Sequence, residues 1–294
     1  MSQEDKKPNE QAPTIDDVRA FWDNNPLFSG EGDNPVGSRE WFEEAERVIY
    51  EDCYASQNPE EIYTAGLDGD SRILDVGCGH GFWVRYFLKC GFENLSACDL
   101  SATSVELAKR SLVLFGFDQG IEIKVGNAED LPFGDESFDH INCQGVVHHT
   151  PNTKKCLEEF SRVLKPGGTL CFSVYYKNMI LRSPFLTKAV STVLSPFVAL
   201  KGRGREKLLN SGDPSEIVRM YDGAENPIGK AYTLNDIEKM TRGLFSILAF
   251  RRHFFPVRAF PIAVPKRLHR YLHDKFGLLI VVRARKEHLL QEEN

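Results

Sequence analysis

Residues 73–81, Ile-Leu-Asp-Val-Gly-Cys-Gly-His-Gly, decide the fold. A short apolar run ends in an acid, and three glycines follow at alternate positions, 77, 79 and 81. The next stretch, FWVRYFLKCG (82–91), reads as a helix closed by glycine. Strand, glycine loop and helix in succession let the backbone approach a ligand closely. They also aim the free N–H groups and the positive end of the helix at it. A dinucleotide fingerprint would be G-x-G-x-x-G; here the third glycine comes one position early. Asp99 ends the next apolar run, 18 residues after Gly81. A carboxylate there offers two oxygens to the paired hydroxyls of a ribose. Together the two features point to a nucleoside-bearing ligand.

Outward from this unit the alternation continues. NLSACDLS (94–101) is a strand, SVELAKRSLVLFG (104–116) a helix and IEIKVGNAED (121–130) a strand. FDHINCQGVV (138–147) is a strand, KKCLEEFSRVLKPGG (154–168) a helix stopped by Pro166 and Gly167, and TLCFSVYYK (169–177) a strand. Such alternation with short connections predicts an α/β fold with a doubly wound, mostly parallel sheet of seven strands. SILAFRRHFF (246–255) and GLLIVVRARK (277–286) complete it as a late antiparallel hairpin. Ligands of such sheets bind at the carboxyl ends of the strands, which places the chemistry in loops 75–82, 99–103, 126–132 and 143–152. Upstream, residues 1–13 read as a disordered tail, followed by a helix over 14–23 capped by Thr14 and another over 39–54. Four segments are expected: 1–65, an N-terminal tail and helical cap; 66–177, a ligand-binding core; 178–232, an insertion covering the substrate; and 233–294, a final helix and strands.

The composition is that of a globular chain, 41% hydrophobic and 27% charged. No run of 18 apolar residues and no signal-peptide core occurs. Seven cysteines, an odd number without a C-x-x-C pair, argue against a disulfide framework and for a reducing cytoplasm. The net charge of −6 argues against DNA and RNA as partners. The charge is uneven, however: residues 1–70 hold 5 Lys/Arg and 18 Asp/Glu, whereas residues 241–294 hold 11 and 4. An anionic ligand or surface near the C-terminal part would suit that distribution.

From 71 to 175 the ordered motifs resemble those of class I S-adenosylmethionine-dependent methyltransferases, in the small-molecule group similar to the ubiquinone/menaquinone-type enzymes. ILDVGCGHG, ACDLS (97–101), GNAEDLPFGDESFD (126–139), GVVHHTPN (145–152) and RVLKPGG (162–168) carry the likeness. It implies a Rossmann-like methyltransferase fold and S-adenosyl-L-methionine as cofactor. It further implies that Gly77, Gly79 and Gly81 lie against the methionine part and ribose, and that Asp75 orients the amino-acid end. Asp99 would hold the ribose hydroxyls, Leu100 would pack on adenine, and Asn127 and the backbone N–H of Ala128 would read the adenine edge. Gln144 would pass under the methionine end, its backbone carbonyl being the contact.

For a hydroxyl acceptor a general base is useful, and His148 and His149 follow the fourth strand at the edge of the expected cleft. An ordinary pKa near ~6.5 would make turnover rise with pH through that value. The competing reading is that an imidazole, His149 above all, braces the loop. No metal site is expected, because adjacent histidines on an extended chain point apart. Cys78 and Cys143 read as small buried side chains rather than nucleophiles. Phe21, Trp22 and Phe28 are candidates for an apolar acceptor pocket, and Arg251, Arg252, His253 and Arg258 for an anionic acceptor. The stretch 184–200, broken at Pro196 and followed by Lys201, Arg203, Arg205 and Lys207, reads as a lid or as a peripheral membrane contact. The leading function is methyl transfer to a small molecule, anionic or lipophilic. The alternatives are RNA methylation, a non-catalytic S-adenosylmethionine-binding protein, and nicotinamide-dependent oxidoreduction, which the glycine spacing disfavours.

Overall fold

Leu170, Phe172 and Val174 pack into one core while Cys171, between them, packs into another. This period-two division is the pleat of a strand buried on both faces. A computed structural model of the protein describes residues 12–54, 59–117, 120–195, 203–257 and 264–287. Strands β1 (Ile73–Val76), β2 (Leu95–Asp99), β3 (Glu122–Val125), β4 (Phe138–Cys143) and β5 (Leu164–Tyr176) are mutually parallel. A two-residue strand, β6 (Ala231–Tyr232), pairs in parallel beside the end of β5, and β7 (Phe245–His253) and β8 (Leu279–Lys286) form the antiparallel pair. The order across the sheet is β3-β2-β1-β4-β5-β8-β7, with β6 off that path. The seven expected strands are therefore present, with β6 as an addition.

Helices α1 (Ile15–Asn24), α2 (Arg39–Ile49) and α3 (Pro59–Tyr63) precede the sheet. Helix α4 (Phe82–Lys89) and α5 (Ala102–Phe115) cover one face of the sheet with Trp83, Phe87, Val105 and Leu112. Helix α6 (Thr153–Val163) and, later, α9 (Leu234–Thr241) cover the other with Leu157, Phe160 and Ile237. Between β5 and β6 lie α7 (Pro184–Leu194) and α8 (Pro214–Met220), and α10 (Lys266–Phe276) joins β7 to β8. No helix among the described residues is long and apolar enough to cross a membrane.

Two elements differ from the sequence reading, and a third adds to it. The helix expected over 39–54 is regular only to Ile49 and continues as a π-helical turn, Tyr50–Tyr54. Helix α6 ends at Val163 rather than at Pro166, because Leu164 already pairs with Phe138 of β4. The linker between the late strands, rich in basic residues, contains α10, whose His269 and His273 are buried. Most of the expected tail and Pro196, Lys201 and Arg258 lie outside the described residues.

The N-terminal helices are fastened to the core by named contacts. Thr14 and Asp17 form a reciprocal capping box at the start of α1. Near its end, Asp23 accepts hydrogen bonds from Ser101 Oγ (2.7 Å) and the Thr103 backbone N–H (3.3 Å), at the start of α5. On α2, Glu46 pairs with the fully buried Arg85 guanidinium (3.1 Å) and with Lys89 (2.6 Å). These ties hold α1 and α2 over the carboxyl edge of the parallel strands, where the site lies.

Candidate active site

Strands β1, β2 and β4 end at Val76, Asp99 and Cys143, and their following loops share one cavity of about 270 Å³. Gly77, Gly79, Asp99, Leu100, Asn127, Ala128 and Gln144 line it. At Gly77 the backbone has φ +73, and a Cβ would sit 2.1 Å from Val146 Cγ2. Gly77→Ala is thus expected to destabilise the fold by at least about 2 kcal/mol, read from the urea midpoint. At Gly79, φ is +52 and a Cβ would meet nothing within 4 Å; the backbone faces open cavity there. Gly81 does not line the cavity; a Cβ on it would meet Ser111 Oγ at 2.8 Å, so this glycine serves the packing of α4 on α5.

Asp99 is the pivot of the loop. Its Oδ2 accepts from the Gly79 N–H and its Oδ1 from the Ser101 N–H, both at 2.9 Å. Burial raises its pKa to about 6, against the pull of those two N–H groups, and nearby Asp23 adds to the rise. A carboxylate in that state gains from further donors, which the two hydroxyls of a ribose would supply. Asp75 does not line the cavity either. It accepts from Asn142 Nδ2 (2.7 Å) on β4, and burial raises its pKa to about 7. Asn127 Oδ1 accepts from the Glu129 N–H (2.9 Å), a turn that presents Ala128 to the cavity. The Gln144 side chain donates through Nε2 to Asn142 Oδ1 and the Cys171 carbonyl, both at 3.0 Å. The open space at Gly79, the Asp99 carboxylate and the Ala128 turn together fit the sugar, methionine and adenine parts of S-adenosylmethionine.

Much of the remaining cavity wall is aromatic. Trp22, Phe28, Tyr54, Tyr175, Tyr221 and Phe254 line it. Of the N-terminal aromatics expected there, Phe21 is displaced and instead packs beside Gly223. Of the basic residues expected on β7, only His253 lines the cavity; Arg251 and Arg252 are exposed. Cys78 and Cys143 are buried, and burial pushes both thiols well above their ordinary range, so neither is poised as a nucleophile.

His148 and His149 both line the cavity, with ring centroids 4.2 Å apart. His149 Nδ1 lies 2.6 Å from the Ile228 carbonyl, and its Nε2 lies 3.1 Å from Asp222 Oδ2. Asp222 also accepts from the Tyr175 hydroxyl (2.5 Å). Burial opposes its charge, but the bonds from His149 and Tyr175 and the positive Arg203 hold its carboxyl far below the usual range. His148 Nδ1 is buried without a hydrogen-bond partner, and its ring packs, tilted by 51°, against Tyr175 with centroids 4.4 Å apart. The expectation that the two histidines diverge is corrected: with Asp222 they bring three donor atoms within 4.8 Å of one another. The contact between His149 Nε2 and Asp222 Oδ2 forms one side of that cluster. Asp222 was missed because nothing in its surroundings, YDGAENP (221–227), marks it apart from a turn.

Residues 74–172 match the family described as methyltransferase domain. The chain is 36% identical over 122 residues to a probable phthiotriol/phenolphthiotriol dimycocerosates methyltransferase of Mycobacterium ulcerans, covering 41% of this chain and 45% of that relative. It is 34% identical over 114 residues to a 2-methyl-6-phytyl-1,4-hydroquinone methyltransferase of Oryza sativa, covering 38% and 32%. The match thus spans less than half the length of these curated relatives. Among solved structures, geranyl diphosphate C-methyltransferase from Streptomyces coelicolor superposes with a TM-score of 0.54 at 13% identity, covering 95% of this chain and 99% of that one. The cyclase SpnF gives a TM-score of 0.57 at 18% identity, covering 94% and 98%. These two likenesses concern the fold, which accommodates more than one chemistry. The glycine loop, the acid that ends β2 and the order of the parallel strands all lie within residues 74–172, and that segment matches a methyltransferase domain.

Proposed function

We propose that the protein transfers a methyl group from S-adenosylmethionine to a small, partly apolar acceptor. The observation that carries this reading is the single cavity, which runs from Gly77, Gly79 and Asp99 to an aromatic wall. The cofactor supplies an electrophilic methyl group when bound. The chain's own part is alignment and exclusion of water, which account for several kcal/mol of rate enhancement. Asp99 and the backbone at Gly77 and Gly79 hold the cofactor; Leu100, Asn127 and Ala128 take the adenine and Gln144 the methionine end. Asp75 acts from behind the loop through Asn142, and Gly81 by seating α4. The segment 178–232 covers the acceptor, contributing Arg203, Arg205, Tyr221 and Asp222 to the cavity wall. His148 takes the proton of an acceptor hydroxyl, and His149 holds the loop through Ile228 and Asp222.

The relatives' names specify lipophilic molecules, a phytyl hydroquinone and a phthiotriol dimycocerosate. Exposed Met179, Phe185, Leu186 and Val193, in and beside α7, support delivery of a similar acceptor from an apolar surface. A largely apolar pocket favours a small acceptor over RNA.

The test is direct. Calorimetric titration should show S-adenosylmethionine binding, and incubation with labelled cofactor and fractionated lipid and small-molecule extracts should yield a labelled product. Asp99→Ala removes charge-assisted bonds of roughly 1.5–3 kcal/mol each, so affinity should fall at least about tenfold with circular dichroism unchanged. Gly79→Val should abolish binding by filling ligand space. Unaltered affinity in both variants would refute the cofactor site.

A further inference from the structure

The charged group of this cavity with donors to spare is Arg203. Its side chain is only 4% exposed, yet it lines the cavity. One nitrogen, Nη2, is paired with Glu31. Nε and Nη1 are buried and have no hydrogen-bond partner. The residue holds a left-handed backbone, φ +53, next to Gly204 in the same conformation, a strained choice for a side chain with a Cβ. The Ala224 N–H fixes the turn by donating to the Arg203 carbonyl (2.8 Å). Burying a guanidinium with open donors costs free energy that a bound oxygen would recover.

Two carboxylates of this wall, Glu31 and Asp222, are already engaged. Glu31 is shared with Arg205 at 3.1 Å, and Asp222 is bonded by His149 and Tyr175. A negative ligand group beside Arg203 therefore faces paired carboxylates and a guanidinium with donors in hand. Around it the wall is aromatic, with Trp22, Tyr175 and Tyr221.

We infer that Arg203 anchors an anionic oxygen, a carboxylate or its equivalent, on an acceptor whose remaining body is apolar. The inference rests on the methyltransferase reading and narrows its acceptor to amphipathic acids. It moves the anion determinant from the exposed Arg251 and Arg252 of β7 to the insertion before β6.

The test uses the full chain with saturating S-adenosylhomocysteine and two near-isosteric probes, decanoate and decanamide, titrated calorimetrically. Decanoate should bind at least about tenfold more tightly than decanamide, as expected for one charge-assisted hydrogen bond. Arg203→Gln should bring the two affinities together without altering S-adenosylhomocysteine affinity, and Arg203→Lys should retain part of the preference. If Arg203→Gln does not fold, because Glu31 loses a partner, the wild-type contrast and the Lys variant decide. Equal affinities in the wild type, or a preference that survives in Arg203→Gln, would overturn the inference and leave the methyltransferase reading standing. Failure of S-adenosylhomocysteine to bind would overturn the reading beneath it.

Discussion

Replacing His148 by Gln is expected to lower methyl transfer to a hydroxyl acceptor by about 10²–10⁴-fold, the range of a lost general base. Cofactor affinity should hardly change, since the imidazole sits with Tyr175 and His149 in the acceptor half of the cavity. Glutamine nearly preserves the volume but cannot take a proton. The pH dependence differs from that of an exposed histidine. Burial, with the neighbouring His149 adding to it, pushes the His148 pKa well below its ordinary value. The neutral imidazole is therefore favoured over the charged form, and turnover should lack the rise through ~6.5 that an exposed histidine would give. The sequence alone suggested that rise, because it does not reveal that the ring is 1% exposed. pH–rate profiles of both proteins at saturating cofactor check the claim. A variant with near-normal turnover would leave His148 as a loop residue and point to an acceptor atom that is nucleophilic without proton removal.

A second large effect is acid lability. Burial pushes His80, His140 and His253 down to about 3 and His273 to about 4. His148 moves the same way. In the unfolded chain each returns to ~6.5. As pH falls below that value, the unfolded chain binds protons that the folded chain refuses, and stability is lost until the folded pKa is reached. Asp75 and Asp99 act in the opposite sense, since their folded values of about 7 and about 6 lie above the unfolded ones. They take up protons on the folded side as pH falls and offset two of the four histidines with those values. The net is about two protons, or about 3 kcal/mol per pH unit between roughly pH 6 and 4.5. Against a typical total stability of about 5–15 kcal/mol, the protein should be strongly destabilised by about pH 4.5. Urea midpoints at pH 7.5, 6.5, 5.5 and 5.0 measure the slope, and a midpoint independent of pH would show that these histidines are protonated in the folded state.

The core of the fold was legible because its signals are local. Ile73–Gly81 announces strand, loop and helix within nine residues, and Asp99 ends the next strand, whatever the rest of the chain does. The Thr14 cap was readable for the same reason. Less was legible in the acceptor half. KGRGREK (201–207) reads as a solvated basic run, yet Arg203 and Arg205 turn inward because Glu31, some 170 residues earlier, meets them. His149 and Asp222 are 73 positions apart, and each looks ordinary without the other. Asp75 and Gly81 belong to the glycine-loop motif but stand off the cavity, since Asn142 of β4 and Ser111 of α5 occupy the sides they face.

By itself the sequence determined the alternating strand-helix order, the glycine loop and its partner Asp99; all of these depend on periodicity and spacing within a few turns of chain. Only the tertiary structure decided which charges are buried, how the two adjacent histidines sit and which arginines line the cavity. Those properties are set by desolvation and by partners that long-range packing brings together.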